Sequence, residues 1–359
     1  MRQLATIRRI DKLLPIEGAD SIMLAIIDGW QCVVLKSEFK EGDQCVYFEI
    51  DSLIPMMPEV EHLRARAFKR LGDKEGIRIK TIKLRGQLSQ GLALPIMQSL
   101  RDTIGNCTGP NDYMPPQDGM DVTDMLGVIK YELPIPDEMA GQVRGNFPGD
   151  IPKTYQQRCQ NIVRKIFTDN ADARYEVSMK MDGASFTGYT KDSIASVCGR
   201  NWDFDIDDPV NIDNKLVRLF VDSKLKDVML SFDRNFAVQG EIMGPGFPQN
   251  REQLKKVKLF VFDIFNIVTG KYLPPTERHA ILEEMYARGL DRDMVQHVPV
   301  LHMNATLEEL GITNINSLLA HADGPSIIHP IREGEVWKRM DGDFSFKVIS
   351  NKFLLKQED

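Results

Sequence analysis

Residues 175–190 read YEVSMKMDGASFTGYT. β-Branched and aromatic residues fill both halves and Asp182-Gly183 interrupts them. The pattern predicts two strands, Tyr175 to Met181 and Ser185 to Thr190, turning at the Asp-Gly pair. Side chains two apart on a strand share a face, which sets Lys180 beside Asp182, and Gly183 permits a tight turn next to them. Lysine attacks only as the neutral amine. A neighbouring carboxylate helps if it recruits a divalent cation, which neutralises a bound polyphosphate and favours that amine. Standing alone, a K-x-D-G pattern arises by chance in about one chain in ten of this length, and it would read as an exposed lysine beside a turn.

Outward from this segment the chain keeps a mixed character. Further strands are expected at Phe236 to Met243, Leu259 to Phe265, Gly334 to Arg339 and Phe344 to Ile349. Helices are expected at Thr154 to Phe167, where Ile162, Val163, Ile166 and Phe167 form an apolar side, at Asn214 to Lys226 and at Glu277 to Arg288. The last has Thr276 as its expected N-cap and Gly289 as its stop. This order fits an α+β domain with antiparallel sheets better than a βαβ repeat. Upstream, residues 106–152 are rich in Pro, Gly and Asp and read as a connection between domains.

The first hundred residues read as β. Ile22 to Ile27 and Trp30 to Leu35 flank Asp28-Gly29, a hairpin signal, and Gln44 to Ile50 is a further strand. Gly76 to Leu84 alternates apolar and basic residues, Gly86 breaks the run, and Leu92 to Pro95 closes it. Five or so short strands with glycine bends suggest a small closed barrel such as an OB fold. The expected organisation is therefore an OB domain over 1–105, a linker over 106–152 and a catalytic domain over 153–359.

Composition bounds the function. The chain has 359 residues, 42% hydrophobic and 27% charged, as in an ordinary globular protein of two domains. No apolar run is long enough to span a bilayer, and the N-terminus lacks a signal-peptide core. Five scattered cysteines without a C-x-x-C pair point to free thiols in a reducing, cytoplasmic setting. A net charge of −7 argues against a protein that merely coats nucleic acid. Nine basic residues between Arg64 and Arg85, opposed only by Asp73 and Glu75, form either a solvated face or a local phosphate track.

The 175–190 segment does not stand alone. After SMKMDGAS (178–185) come GRNWDF (199–204), VQGEIMGPGFPQN (238–250), FVFDIFN (260–266), REGEVWK (332–338) and SFKVISNK (345–352). In order and separation these resemble motifs I, Ia, III, IIIa, IV and V of the covalent nucleotidyltransferase superfamily of DNA ligases, RNA ligases and mRNA capping enzymes. GEIMGPG and FDIFN resemble the RNA ligase branch, and KTYQQRCQN (153–161) resembles the element that opens its catalytic domain. Only seven residues follow Lys352. The expectation is thus a barrel in front of the catalytic domain and none behind it, an arrangement similar to the RNA ligase 5 group.

The resemblance implies a function and a set of roles. An ATP-dependent RNA ligase would seal 3′-hydroxyl and 5′-phosphate RNA ends through a lysyl-adenylate, with AMP carried on Lys180, and an RNA-adenylate. Asp182, Glu241 and Glu333 would converge on Mg²⁺ or Mn²⁺. Phe262 would stack on adenine, though its apolar run equally suits core packing. Arg158 and Arg200 would contact the nucleotide or the RNA end, Lys347 the α-phosphate, and Lys338 another phosphate. Two positions depart from the pattern: Met179, where relatives carry an acidic residue, and Ile349, where a second motif V lysine is common. RNA ends are the expected partner, with no membrane and no obligate protein. The competing readings are a DNA ligase or capping-type enzyme, which would normally carry a C-terminal OB domain, and a non-catalytic OB-fold RNA-binding protein.

Overall fold

The structure is a computed structural model that describes residues 3–106, 115–131, 142–247 and 250–356. The chain divides into two compact units, Met1–Ile135 with Leu355–Asp359, and Pro136–Leu354.

The first unit is built of short antiparallel strands. Ile22–Ile27 and Trp30–Leu35 pair as a hairpin. Asp28 (φ 50°) and Gly29 (φ 81°) are both left-handed, as a two-residue turn matching strand twist requires. Gln44–Glu49 lies between Ala5–Arg9 and Gly91–Pro95 and is buried at five of its six residues. Its Tyr47 and Phe48, and Trp30 of the hairpin, are fully buried. The strand expected over Gly76 to Leu84 is two strands, Lys74–Arg78 and Ile82–Leu84. The main chain of Ile79 completes its pairing with Asp51 and Ser52, while Ile82 starts a new hairpin that turns at Arg85 (φ 47°) and Gly86 (φ 77°). The basic run is partly spent locally. Arg64 pairs with Glu61 at 2.6 Å and Arg70 with Glu75 at 3.1 Å, and Arg85 donates to the Gly18 carbonyl at 2.7 Å. Arg66, Lys69, Lys74 and Lys80 are exposed.

The described residues of the segment expected as a connection pack onto one or the other unit. Val122 and Val128 are buried in the first core, and the Met120 carbonyl accepts from the Ile7 amide at 2.9 Å. Val143–Asn146 is a strand of the second unit, paired with Trp202–Phe204. Proline and glycine deny this stretch long elements of its own, but existing strand edges still satisfy its backbone groups. Its residues 107–114 and 132–141 lie outside the described residues, as does Cys107. The other four cysteines are buried free thiols.

The second unit holds two sheets. In the first, Tyr175–Lys180 lies between Gly334–Arg339 and Val300–Ala305; Ser345–Ile349 follows, and Gln157–Arg158 closes the edge in parallel. In the second, Ala184–Lys191 lies between Ile194–Cys198 and Phe236–Met243, which pairs in turn with Lys258–Asn266. The two halves of the 175–190 segment therefore do not pair, contrary to the expected turn-back at Asp182-Gly183. Residues 181–183 carry the chain from one sheet to the other, and each half pairs with strands from further along the chain. A Cβ at Gly183 would lie 2.5 Å from the Ile242 carbonyl oxygen, so only glycine passes there.

Helices Lys215–Asp222, Leu225–Leu230 and Pro275–Ala287 cover the second sheet over a core that includes Phe186, Phe220, Val238, Ile264 and Leu282. The first sheet rests on Tyr175, Trp337 and Phe346, whose rings pack edge-on and stacked. A third cluster, Met181, Met243, Phe260 and Val298, sits where the chain crosses, with Met179 against it.

Three helix expectations change. Thr154 to Phe167 is not one helix: Gln157–Arg158 is recruited as a strand by Ser345–Ile349, and a π-helical turn occupies Lys165–Asp169. The 214–226 helix breaks at Lys224, which is left-handed (φ 64°), after Asn214 caps its start. The third helix begins at Pro275 with Pro274 in the cap position, leaving Thr276 inside, and Gly289 (φ 102°) follows its end.

Candidate active site

Lys180 ends its strand at the level of Gly334 in the neighbouring strand. Antiparallel partners share a face, so Lys180, Ser178 and Glu176 point the same way as Gly334, Val336 and Lys338, and as Lys347 opposite Val336. Arg158 joins this face through its register with Lys347. Gly334 is required: it has φ 156°, and a Cβ would lie 2.0 Å from the Val348 carbonyl oxygen. Its close seat turns the preceding Glu333 inward, where Oε1 meets the Lys180 amine at 2.7 Å.

The second sheet supplies the opposing wall. Glu241 lies opposite Ser185, and its Oε1 accepts the Gly183 amide at 3.1 Å, tying the crossing to the Phe236–Met243 strand. Lys180, Asp182, Glu241, Glu333 and Lys347 are all half-buried. Burial alone would lower the Lys180 pKa, but Glu333, Glu241 and Asp182 together outweigh it and raise it. Burial pushes Glu241 up to about 7 against the pull of Lys180, and it raises Glu333 as well. Three crowded carboxylates thus share one ammonium. Asp182 Oδ2 and Glu333 Oε2 are buried without a hydrogen-bond partner. Hard oxygen donors left unsatisfied fit a divalent cation, although the oxygens of Asp182, Glu241 and Glu333 do not all lie within 4.8 Å of one another.

Phe262 is placed by a β-bulge. Gly240 pairs with Val261 and Gln239 with Asp263, so Phe262 is the extra residue between them. It is half-buried, whereas Phe260 and Phe265 of the same strand are in the core. Its ring packs partly against the cluster of Met181, Met243, Phe260 and Val298 and stays partly exposed.

Lys338 is 4% exposed and belongs to a buried network instead of the open face. It ion-pairs with Asp263 at 2.5 Å, donates to the Phe262 carbonyl, and lies 5.3 Å from that ring's centroid. Burial lowers its pKa to about 8. The phosphate contact expected of Lys338 is thus replaced by a structural one, because alternation fixes its face but not the aspartate that the other sheet brings to it. Arg278 ties Glu176 into the same network, and His279 Nε2 meets the second Glu176 oxygen at 2.7 Å. Glu176, His279 and His297 come close enough to share an ion. Arg278, however, already occupies Glu176 and donates to His297 Nε2 at 3.1 Å, so the site is filled by a guanidinium.

Arg200 is exposed on the turn between Ile194–Cys198 and Trp202–Phe204. Tyr155 was missed by sequence reasoning: its ring lies 5.0 Å from Lys347 Nζ. Also unforeseen is the Thr154–Ser185 hydroxyl pair, 3.2 Å apart, which links the opening segment to the second sheet.

Comparison with known proteins bears on the family. A profile described as an OB-fold domain matches residues 4–96, and one described as RNA ligase matches residues 173–349. No curated protein sequence is matched. Among solved structures, a Naegleria gruberi RNA ligase variant with AMP and manganese is 39% identical, with 99% of each chain covered and a TM-score of 0.80. The Naegleria gruberi enzyme with pyrophosphate gives the same values, and a variant with ATP and manganese is 39% identical over 100% of each chain. An N-terminal OB domain, an adenylation fold and that degree of identity over the full length leave one conclusion: this chain belongs to the RNA ligase family.

Proposed function

We propose that the chain is an ATP-dependent ligase that joins 3′-hydroxyl and 5′-phosphate RNA ends, with Lys180 as the nucleophile. The observation that carries this reading is the Lys180 amine held at 2.7 Å from Glu333 among three half-buried carboxylates. Lys180 forms a bond to the α-phosphorus of ATP and pyrophosphate leaves, giving a lysyl-adenylate. The AMP then passes to the 5′-phosphate of an RNA end, and a 3′-hydroxyl displaces it as the new linkage forms. The protein's part is mainly positioning and charge neutralisation.

Each residue has a defined share. Phe262 offers the exposed part of its half-buried ring to adenine. Lys347 and Arg158, side by side in register, meet the phosphate chain. Glu333 holds the amine near the α-phosphorus, and the proton must leave before attack because the carboxylates keep Lys180 charged. Asp182, Glu241 and Glu333 would hold Mg²⁺ or Mn²⁺, which supplies positive charge that offsets the carboxylates and the triphosphate. Arg200, exposed at the rim, suits contact with the RNA end.

The OB unit, residues 1–105 in the sequence-based division, would grip RNA through exposed Arg66, Lys69, Lys74 and Lys80. No described helix is long and apolar enough to cross a membrane. Buried free thiols suit a reducing, cytoplasmic setting. The deciding experiment is label transfer from ATP radiolabelled at the α-phosphate, with GTP as competitor. Covalent label on the wild-type chain that is lost on Lys180→Ala supports the reading. Absence of label on folded wild-type protein with manganese present overturns it in favour of a non-catalytic RNA-binding protein, and preferential labelling from GTP points to capping chemistry.

A further inference from the structure

Glu333 must do two things with one carboxylate: bind the Lys180 amine through Oε1 and keep Oε2, buried without a hydrogen-bond partner, available. Its place therefore has to be fixed closely. The fixing comes from the far side of the sheet. Arg332 is 8% exposed, and its guanidinium reaches around the start of the Gly334–Arg339 strand. Nε donates to the Ala322 carbonyl at 3.1 Å, and Nη2 to the His321 carbonyl at 2.9 Å and to Glu335 Oε1 at 2.5 Å.

Glu335 is fully buried, and its other oxygen takes Trp337 Nε1 at 3.0 Å and His321 Nδ1 at 3.0 Å. Main-chain bonds complete the clamp. The Arg332 amide donates to Gly324 at 2.7 Å, and the Ser350 amide donates to the Glu333 carbonyl at 2.9 Å. Ser350 Oγ then donates to Asp323 at 2.6 Å. A Cβ on Gly324 would lie 2.7 Å from Arg332 Nη1, so the 321–324 segment is shaped around the guanidinium. Residues 321–324, 332–335 and 350 thus form one closed circuit with Glu333 at its inner edge.

We propose that Arg332, held by Glu335, is a positioning residue that fixes Glu333 for divalent-cation binding and so sets the metal concentration the enzyme needs. This rests on the ligase reading of the site. Neither residue faces Lys180: Glu335 lies on the opposite face of the strand, and Arg332 is turned toward it. Partners of this kind orient a metal-binding carboxylate without touching the metal, and losing them costs about 10–100-fold in metal affinity.

The test uses full-length Arg332→Gln, Arg332→Lys and Glu335→Gln. Manganese binding is read by electron paramagnetic resonance with an ATP analogue bridged by methylene between the α- and β-phosphorus. Lysine adenylation is titrated with manganese in parallel. Arg332→Gln should need about 10-fold more manganese in both assays, with the KM for ATP at saturating metal nearly unchanged. Arg332→Lys should recover part of the loss, and Glu335→Gln should shift the same way by less. A folded Arg332→Gln with wild-type manganese binding overturns the proposal. If that variant does not fold, Arg332→Lys decides by the same titration, with a wild-type curve counting against the clamp. A wild-type chain that binds manganese but forms no adenylate overturns the ligase reading alone.

Discussion

Two Asp-Gly pairs in this chain look alike in sequence and behave in opposite ways. Asp28-Gly29 closes a hairpin whose strands pair from Ile27↔Trp30 to Ile22↔Leu35. Asp182-Gly183 also separates two strands, yet these join different sheets. The first turn has left-handed dihedrals at both residues, whereas Gly183 is absent from the positive-φ residues. In the first pair glycine is needed for its backbone freedom, and in the second for its lack of a side chain against Ile242 and Met243. A turn that fails to close leaves the end of one sheet facing the other. That gap is where Lys180, Asp182, Glu241 and Glu333 meet.

The largest effect should come from the residue that the open crossing exposes. Lys180→Arg keeps the charge beside Glu333 but does not deprotonate, so adenylation should fall on the order of 10⁴-fold or more, with circular dichroism unchanged. Retained label on this variant would remove Lys180 from the mechanism. Next come the glycines themselves. Gly183→Ala should displace the amide bonded to Glu241 and slow adenylation about 100-fold. Gly29→Ala should cost about 1 kcal/mol of stability and leave adenylation alone. Equal catalytic effects at the two positions would mean that the crossing has no special role.

Phe262→Leu tests the bulge. It should raise the KM for ATP about 10-fold, with little change in melting temperature. A large loss of stability at constant KM would return the ring to the core. The smallest effect is a pH dependence. Glu241 is raised to about 7 and Glu333 is raised too, so the folded, metal-free site binds protons that the unfolded chain releases near 4.5. Stability from these groups is present below about 4.5 and is lost as pH rises through about 7. Melting temperature should drop by about a few degrees between pH 5 and 8. Glu241→Gln and added manganese should each flatten that slope, and an unchanged slope would show that the carboxylates are not strained.

Strand positions were legible because alternation and apolar runs are local signals: Phe236–Met243 and Gly334–Arg339 lie where the pattern puts them. Strand partners were not, because pairing depends on segments far along the chain. Tyr175–Lys180 pairs with residues past 300 and not with the strand that follows it. The same limit explains Gln157–Arg158, whose amphipathic surroundings resemble a helix until Ser345–Ile349 takes it as an edge strand. That Lys180, Asp182, Glu241 and Glu333 would come together was legible through motif order. The burial of Lys338 was not, since Asp263 arrives from the other sheet. Nor was the Phe262 bulge, a register shift with no mark in composition.

The order of strands around Lys180 has a consequence for synthesis. Its sheet runs, in space, from residues 157–158 to 345–349, 334–339, 175–180 and 300–305. A ribosome releases the chain from the N-terminus, so the lysine strand emerges long before any neighbour that can cover it. Both its edges stay open while more than a hundred residues are added, and long-range pairing of this kind forms slowly. On the proposed function, a nascent chain therefore carries Lys180 without Glu333 or Lys347 and would not hold a nucleotide there. Competence arrives late, when the last strands slot in beside it, and a chain cut short before them exposes a sticky, inactive edge for quality control to find.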